Sequence, residues 1–578
     1  MDSERPITLF VSFTLLLLSA GIFITRSNPA VAYELSIYRS TPATFWAAVL
    51  VSFIIVPTTV FYSTTYKNRI AGVFLGAITM LSVIALPIIR GYHYTGSGDA
   101  MSYLGWGIDL QQGNMLITEN LYPGIMVNSV FIDSLSNVGI TNAFMLIPVI
   151  FGAVFITLIP VLLRSVDDSW LVVGIGFLSG SLILPVNQIS RAGVFLQPYP
   201  TLAALFYLPV SLFTIVLLYT GERNRGLVLF LITSLSLLML HPQQAANFLI
   251  FILFSFFLSP LVLRISSVEF EWRYLLTPSA VFTIIFWIWA ANRVRFENSV
   301  AGLISSILVD TETTGDIESA SLSLEAIGGS IIELFFKIFF TGSVYALLTV
   351  IISIKLLAII LWQRKNPWSP KKTTFIFCLS AGLVPVGVLF VAYIIFSSQY
   401  FRHLGFLMVI GTILGSLYIT GIYKKTNKPW NRRILTVIFL IFLILSLPLV
   451  HMSPYIYQSN PHVTSQQMTG YETTFEVSGD TELITVRDSP RRFSHALYGK
   501  ETRKSPAAVK SPDGFANQGL SSEYNQSMLL ILTTKAEQRE TELYNGFRFS
   551  SEDFEYIRNS NNSKVYDNSG YTLYYISG

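Results

Sequence analysis

The stretch Ile7-Thr-Leu-Phe-Val-Ser-Phe-Thr-Leu-Leu-Leu-Leu-Ser-Ala-Gly-Ile-Phe-Ile-Thr25 carries no charged side chain from end to end. A helix on the surface of a soluble protein sets a charged face against its apolar one. A run without charge on any side belongs in hydrocarbon, and about 20 residues at about 1.5 Å each cross a bilayer core of about 30 Å. The residues before it, Met-Asp-Ser-Glu-Arg, lack the net positive charge of a secretory signal, and no small-x-small cleavage site follows. The run therefore reads as a retained first helix.

Runs of the same kind recur at 43–62, 69–89, 142–163, 170–185, 201–220, 227–240, 245–263, 275–291, 338–362, 373–396, 404–422 and 434–450. With the first they make about 13 spans of bilayer length. The run 227–240 is short and ends at His241-Pro242, so it reads either as a span or as a tilted, re-entrant segment. Only 12% of the chain is charged, against roughly 25% in a soluble domain, which excludes a cytosolic enzyme. The single cysteine, Cys378, lies inside an apolar run, where it reads as a small buried side chain. It excludes an intrachain disulfide and a Cys–Cys metal site.

The loops give an orientation. With the N-terminus inside, the inner loops hold Lys67, Arg69, Arg223, Arg225, Arg364, Lys365, Lys371 and Lys372, and the last holds Lys424, Lys425, Lys428, Arg432 and Arg433. That is the positive-inside pattern. An odd number of spans then puts the C-terminus outside, in a multi-pass protein of the cell membrane. Three non-membrane pieces face outward: 90–141; 292–333, with Asp310, Glu312, Asp316, Glu318 and Glu325; and the tail 451–578. The expected fold is an all-α polytopic bundle over 1–450 with a small extracytoplasmic α/β domain over 451–578. In the tail, Leu483–Val486 and Met528–Leu532 read as strands. Val565-Tyr566 and Thr572–Ile576 flank Asp567-Asn568-Ser569-Gly570, a hairpin turn. The sequons at Asn525 and Asn561 fit an outside tail. The chain has no Gly-x-Gly-x-x-Gly, no P-loop, no His-Glu-x-x-His and no intramembrane string of acids of the kind an ion-coupled pump uses.

The chemistry concentrates in Arg90-Gly-Tyr-His93-Tyr94-Thr-Gly-Ser-Gly-Asp99-Ala-Met-Ser-Tyr-Leu-Gly-Trp-Gly-Ile-Asp109. Its aromatics suit a membrane–water boundary. Asp99 has two readings: a general base for an acceptor hydroxyl, or the cap of a helix beginning at Ala100. Arg90, His93, Tyr94 and Asp109 are candidate substrate contacts around it. A second cluster is Tyr400-Phe-Arg402-His403. Arg402, flanked by Tyr400 and His403, reads either as a bidentate phosphate ligand or as a snorkelling side chain. Gln188, Arg191 and Gln197, then His241, Gln243 and Gln244, then Arg293 and Arg295 sit at outer span ends. They suit a sugar pocket, or equally solvated helix ends and inter-helix hydrogen bonds.

The acid after an early helix, the many further spans, the Arg402 segment and the closing outside domain together resemble the GT-C superfamily of membrane glycosyltransferases. These take sugars from polyprenyl- or dolichyl-phosphate carriers. The resemblance implies that Asp99, in Gly-Ser-Gly-Asp99-Ala-Met-Ser-Tyr-Leu, is the catalytic base and that Arg402, in Gln-Tyr-Phe-Arg402-His, contacts the donor phosphate. The ending Ser-Lys-Val-Tyr-Asp-Asn-Ser-Gly-Tyr-Thr-Leu-Tyr-Tyr-Ile resembles that of archaeal and bacterial members. Two features depart from the pattern: the acid follows the third span, and it lacks a second acid beside it. A single acid leans toward the metal-independent users of lipid-monophosphate sugars, such as archaeal dolichyl-phosphate-mannose mannosyltransferases. The implied partners are the lipid-phosphate sugar, a lipid-linked or protein-linked glycan acceptor and membrane lipids, with no cofactor and no nucleic acid. The rival readings are a lipid-linked oligosaccharide flippase or other transporter, a polysaccharide polymerase or ligase, and a non-enzymatic scaffold.

Overall fold

Each apolar run of the sequence becomes a helix, because a backbone in hydrocarbon has no water to satisfy its N–H and C=O groups. The computed structural model describes residues 5–186, 196–219, 223–262, 273–293, 324–362, 366–396, 401–426, 429–501, 508–510, 514, 526–560 and 562–577. The helices are α1 (Arg5–Arg26), α2 (Ala43–Tyr62), α3 (Tyr66–Ile84), α4 (Asp99–Gln111), α5 (Pro123–Ser136), α6 (Ile140–Val166), α7 (Trp170–Ser181) and α8 (Pro200–Tyr219). They continue with α9 (Arg223–Leu240), α10 (Pro242–Phe257), α11 (Arg273–Ala291), α12 (Ile331–Trp362), α13 (Pro370–Phe396), α14 (Phe401–Thr426) and α15 (Pro429–Ser446). Among the described residues, 9 are long and apolar enough to cross a membrane: α1, α2, α3, α6, α8, α12, α13, α14 and α15. The shorter apolar helices are α7, α9, α10 and α11. The molecule is thus a multi-pass helical membrane protein.

Several boundaries differ from the sequence reading: the run 69–89 breaks after Ile84, the run 245–263 breaks after Phe257, and the helix of the run 338–362 begins at Ile331. The run 170–185 is helical only to Ser181; Ile183 then takes φ 47° and the chain turns through Leu184–Val186. Pro185 lacks the N–H that a continuing helix needs. The doubtful run 227–240 is the end of a continuous helix from Arg223 that packs along α8.

The described parts of the non-membrane pieces gather at one end of the bundle. β1 (Tyr94–Thr95) pairs antiparallel with β2 (His462–Val463) in the tail, and Gly96 N–H donates to the Pro461 carbonyl at 3.0 Å. Glu333, at the start of α12, accepts from the Tyr457 hydroxyl at 3.0 Å. At the opposite end, Asp167 after α6 binds Lys372 of α13 at 2.8 Å and Lys424 of α14 at 2.6 Å. Both lysines come from loops that the charge pattern assigns to one side.

The tail adds α16 (Ser465–Val477), α17 (Pro490–Tyr498), α18 (Ser551–Asn559) and a five-stranded sheet in the order β4-β3-β5-β7-β6. The strands are β3 (Leu483–Thr485), β4 (Ala508–Lys510), β5 (Met528–Thr533), β6 (Ser563–Asp567) and β7 (Tyr571–Ile576). β3 runs parallel to β4 and β5, and β7 antiparallel to β5 and β6. The expected hairpin is there: Asp567 pairs with Thr572 across a turn in which Ser569 takes φ 69°. All of β5 is buried, because the two faces of its alternating side chains enter different cores. Leu530 and Leu532 pack with Phe554 and Ile557 of α18. Leu529 and Ile531 pack with Tyr471, Phe475 and Phe493, in a core continuous with that of the membrane helices.

Candidate active site

Gly98 sets the geometry. At φ 61° and ψ −117° it takes a conformation that costs glycine little and other residues much. The chain then enters α4 with Asp99 as its first helical residue. The cap position falls to Gly98, which has no side chain to bond, so Asp99 does not cap the helix as one of the two readings supposed. Its carboxylate lies at the positive end of the helix dipole. The turn is fastened from the sides. Ser97 N–H donates to Gln197 Oε1 at 3.2 Å, the Tyr199 hydroxyl donates to the Ser97 carbonyl at 3.1 Å, and the Tyr94 hydroxyl donates to the Ala100 carbonyl at 2.9 Å.

The partners of Asp99 come from the tail. Arg492 Nη2 meets Asp99 Oδ1 at 2.6 Å, and its Nη1 donates to Ser102 Oγ, one turn further along α4. Ser102 Oγ lies 2.8 Å from His495 Nδ1. Burial first, then the charges of Lys500, Arg492 and Arg491, push the His495 ring down to about 4. It is therefore neutral at pH 7, and Ser102 Oγ links the Arg492 guanidinium, from which it accepts, to the His495 ring, with which it shares a hydrogen bond. Contact this close needs Gly105, where an added Cβ would sit 2.5 Å from the His495 carbonyl oxygen. At the other end of α4, the fully buried Asp109 accepts from the Lys500 and Glu501 backbone N–H groups at 2.7 and 3.0 Å. Trp106 Nε1 donates to Glu501 Oε1 at 3.2 Å, and Lys500 Nζ stands 3.5 Å from the centre of the Trp106 ring.

Asp99, Tyr103 and Trp106 recur at spacings of four and three, so they share one face of α4. Tyr103 makes ring contacts with Trp106, Tyr122 and Tyr199 at 5.9, 6.3 and 5.8 Å, and Tyr122 stacks on His241 at 5.1 Å. Burial, then Tyr122 and Asp99, push the Tyr103 hydroxyl well above its ordinary range. Beyond Trp106 opens a polar cleft of about 520 Å³, lined by Asn114, Glu119, Asn292, Arg293 and Glu501. It adjoins an apolar groove of about 310 Å³ between α9 and α11, lined by Leu235, Leu238, Met239, Ile285, Ile288 and Trp289. Asn292 and Arg293 line both. Among the described residues, no three His, Cys, Asp or Glu side chains gather to hold a metal ion.

The candidates read from the sequence scatter. Arg90 is buried in an ion pair with Glu34 and donates to the Asn28 carbonyl; Tyr92 also donates to Glu34, at 2.6 Å. It braces the loop and is spent on that bracing, as is buried Tyr94. Asp109 and Gln197 are buried and bonded within the protein; Gln197 Nε2 lies 2.9 Å from Met452 Sδ. His93 is exposed. His241 and Gln243 are half-buried at the start of α10, with His241 against the aromatic cluster. Gln244 accepts from Asn247, whose side-chain Oδ1 lies 3.0 Å from buried His403 Nδ1, so His403 belongs to a contact between helices inside the bundle. Tyr400, Gln188, Arg191, Arg295, the Arg402 side chain, the acids Asp310, Glu312, Asp316 and Glu318, and the sequon residues Asn525 and Asn561 lie outside the described residues. The sequence reading missed Arg492, His495, Lys500, Glu501, Asn114 and Glu119. The one signal was Ser489-Pro490-Arg-Arg492, a helix start carrying two cations.

Fold and site together define a multi-pass helical membrane protein with a small C-terminal α/β region docked on the loop helix that bears Asp99. Comparison with protein-family models gave no match, and comparison with curated protein sequences gave none.

Proposed function

We propose that the protein is a membrane glycosyltransferase. It moves a sugar, a hexose such as mannose, from a polyprenyl- or dolichyl-phosphate carrier to a lipid-linked or protein-linked glycan at the outer membrane face. The observation that carries this reading is the meeting of the polar cleft and the apolar groove at Asn292 and Arg293. That shape suits an amphiphile: an isoprenoid tail in the groove, a phosphate at Arg293 and a sugar in the cleft. Trp106, with Lys500 over its ring, forms the apolar wall of the cleft against a sugar, and Asn114, Glu119 and Glu501 offer hydrogen bonds to hydroxyls. Asp99 lies two helical turns from Trp106, about 10 Å along the α4 axis, within reach of an acceptor glycan lying across this face.

In the reaction an acceptor hydroxyl oxygen attacks the anomeric carbon. The bond from that carbon to the phosphate oxygen breaks, Asp99 takes the hydroxyl proton, and the carrier leaves as a phosphate beside the Arg293 cation. The test uses the full chain in nanodiscs, labelled dolichyl-phosphate mannose as donor, and membranes of a deletion strain as the source of acceptors. Asp99→Asn lowers transfer by about 10²–10⁴-fold at normal protein abundance, while donor binding persists. Near-normal transfer by this variant refutes Asp99 as the base; absence of transfer by the wild-type chain refutes the enzyme reading and leaves a flippase. Arg293→Ala raises the KM for the donor; Arg402→Ala beside it shows which arginine meets the phosphate.

A further inference from the structure

Asp99 is an awkward base as it stands. Its side chain is 58% exposed at the first residue of a helix, and it makes no capping bond. A carboxylate in that position turns about two torsions, and a base that wanders loses the orientation on which proton transfer depends. Among the described residues Arg492 forms an ion pair with it. We infer that Arg492, carried by the tail helix α17, is the positioning residue that holds Asp99 for proton abstraction. The tail is then part of the catalytic machinery. This rests on the reading of Asp99 as the base.

The geometry has three parts. First, one guanidinium spans two acceptors a turn apart on α4. Nη2 takes Asp99 Oδ1 at 2.6 Å and Nη1 takes Ser102 Oγ. A rigid planar fork that is fixed on one arm fixes the other. Oδ1 is engaged in this way, and Oδ2 is left for an acceptor hydroxyl. Second, Ser102 is itself immobilised: it is buried and lies 2.8 Å from His495 Nδ1. Third, the register of α17 against α4 is set at two further points. The bare Cα of Gly105 admits the His495 carbonyl, and Asp109 clips the Lys500 and Glu501 N–H groups at 2.7 and 3.0 Å. Arg492 cannot drift along α4 unless the whole segment undocks. A half-exposed ion pair contributes little to stability, so this arrangement of one cation and three fixed points is larger than docking the tail requires.

Arg492→Met, Arg492→Lys and Ser102→Ala in the full chain test the inference, with labelled dolichyl-phosphate mannose and membranes of a deletion strain. Arg492→Met lowers kcat by about 10–10²-fold and leaves the KM for the donor unchanged. Lys at 492 restores only part of the loss, since a point charge lacks the fork, and Ser102→Ala falls between wild type and Arg492→Met. In the Asp99→Asn background, Arg492→Met adds no further loss, because it acts through the carboxylate. Amide exchange at Lys500 and Glu501 stays as in wild type. Wild-type kcat in Arg492→Met overturns the inference. So does a raised KM at unchanged kcat, which would mean that Arg492 touches the donor, and so does a loss of kcat matched by lost protection across the tail, which would make the role structural. If Asp99→Asn is inactive while Arg492→Met is normal, only this inference fails. If Asp99→Asn transfers normally, the reading beneath it fails as well.

Discussion

Asp109 offers the sharpest test of how the tail is held. Its carboxylate is fully buried, and one oxygen accepts the backbone N–H groups of Lys500 at 2.7 Å and Glu501 at 3.0 Å. A hydrogen bond to a charged group contributes about 1.5–3 kcal/mol, so Asp109→Ala, which breaks both of these part-buried bonds, costs up to about 3–6 kcal/mol of local stability. Asn keeps an oxygen in place, but neutral bonds are roughly half as strong, so Asp109→Asn costs about 1.5–3 kcal/mol. Each 1.4 kcal/mol is about tenfold in a local opening equilibrium. The amides of Lys500 and Glu501 should therefore exchange about 10–100-fold faster in Asp109→Asn, read by hydrogen–deuterium exchange in nanodiscs. The same segment sets Trp106 through Lys500 and Glu501, so transfer falls too. The sequence reads Asp109 as a substrate contact; its buried geometry makes Asp109→Asn a structural lesion instead. Wild-type exchange at both amides would refute the account of the clip.

Two further predictions rest on the contacts of the tail with α4, and a third on the loop charges. The neutral His495 ring, held at about 4 against about 6.5 in an unfolded chain, contributes its full stability above about pH 6.5 and loses it as pH falls toward 4; exchange in α17 should rise over that window, and less so in His495→Gln. Gly105→Leu places side-chain atoms against the His495 backbone, which lies 2.5 Å from even a Cβ. Overpacking of about 1–3 kcal/mol should lower the midpoint of thermal unfolding and reduce transfer; an unchanged midpoint would contradict the close approach. A reporter fused after Gly578 should be active outside and one inserted near Asn427 inside, given the cluster Lys424–Arg433 followed by one apolar helix; a C-terminal reporter active in the cytoplasm would overturn the proposed side of the chemistry.

The sequence by itself determined the elements whose cause is local. An uncharged run of bilayer length must become a helix, whatever its neighbours, because hydrocarbon leaves its backbone no other partner. Each apolar run therefore appears as a helix, and misplacements occur where a proline or a turn intervenes, as at Leu182–Pro185. Alternating apolar residues around Asp567–Gly570 likewise specify a hairpin from neighbouring residues alone. Asp99 stood out as a candidate because Gly-Ser-Gly before an acid at a helix start is a local signal.

Tertiary structure alone decided what surrounds Asp99. Whether it caps its helix turned on which residue occupied the left-handed position, and that fell to Gly98. The partner Arg492 stands 393 positions away, and no periodicity links the two. Arg90, Tyr94 and Asp109 look from the sequence like substrate contacts because they are polar groups near an acid. Only packing shows that their bonds are already taken, by Glu34, by the Ala100 carbonyl and by the Lys500–Glu501 backbone. The cleft and groove that meet at Arg293 are spaces between α9, α11, the Asp99 helix and the tail. A space is a property of where helices end up relative to one another, and covalent order along the chain does not contain it.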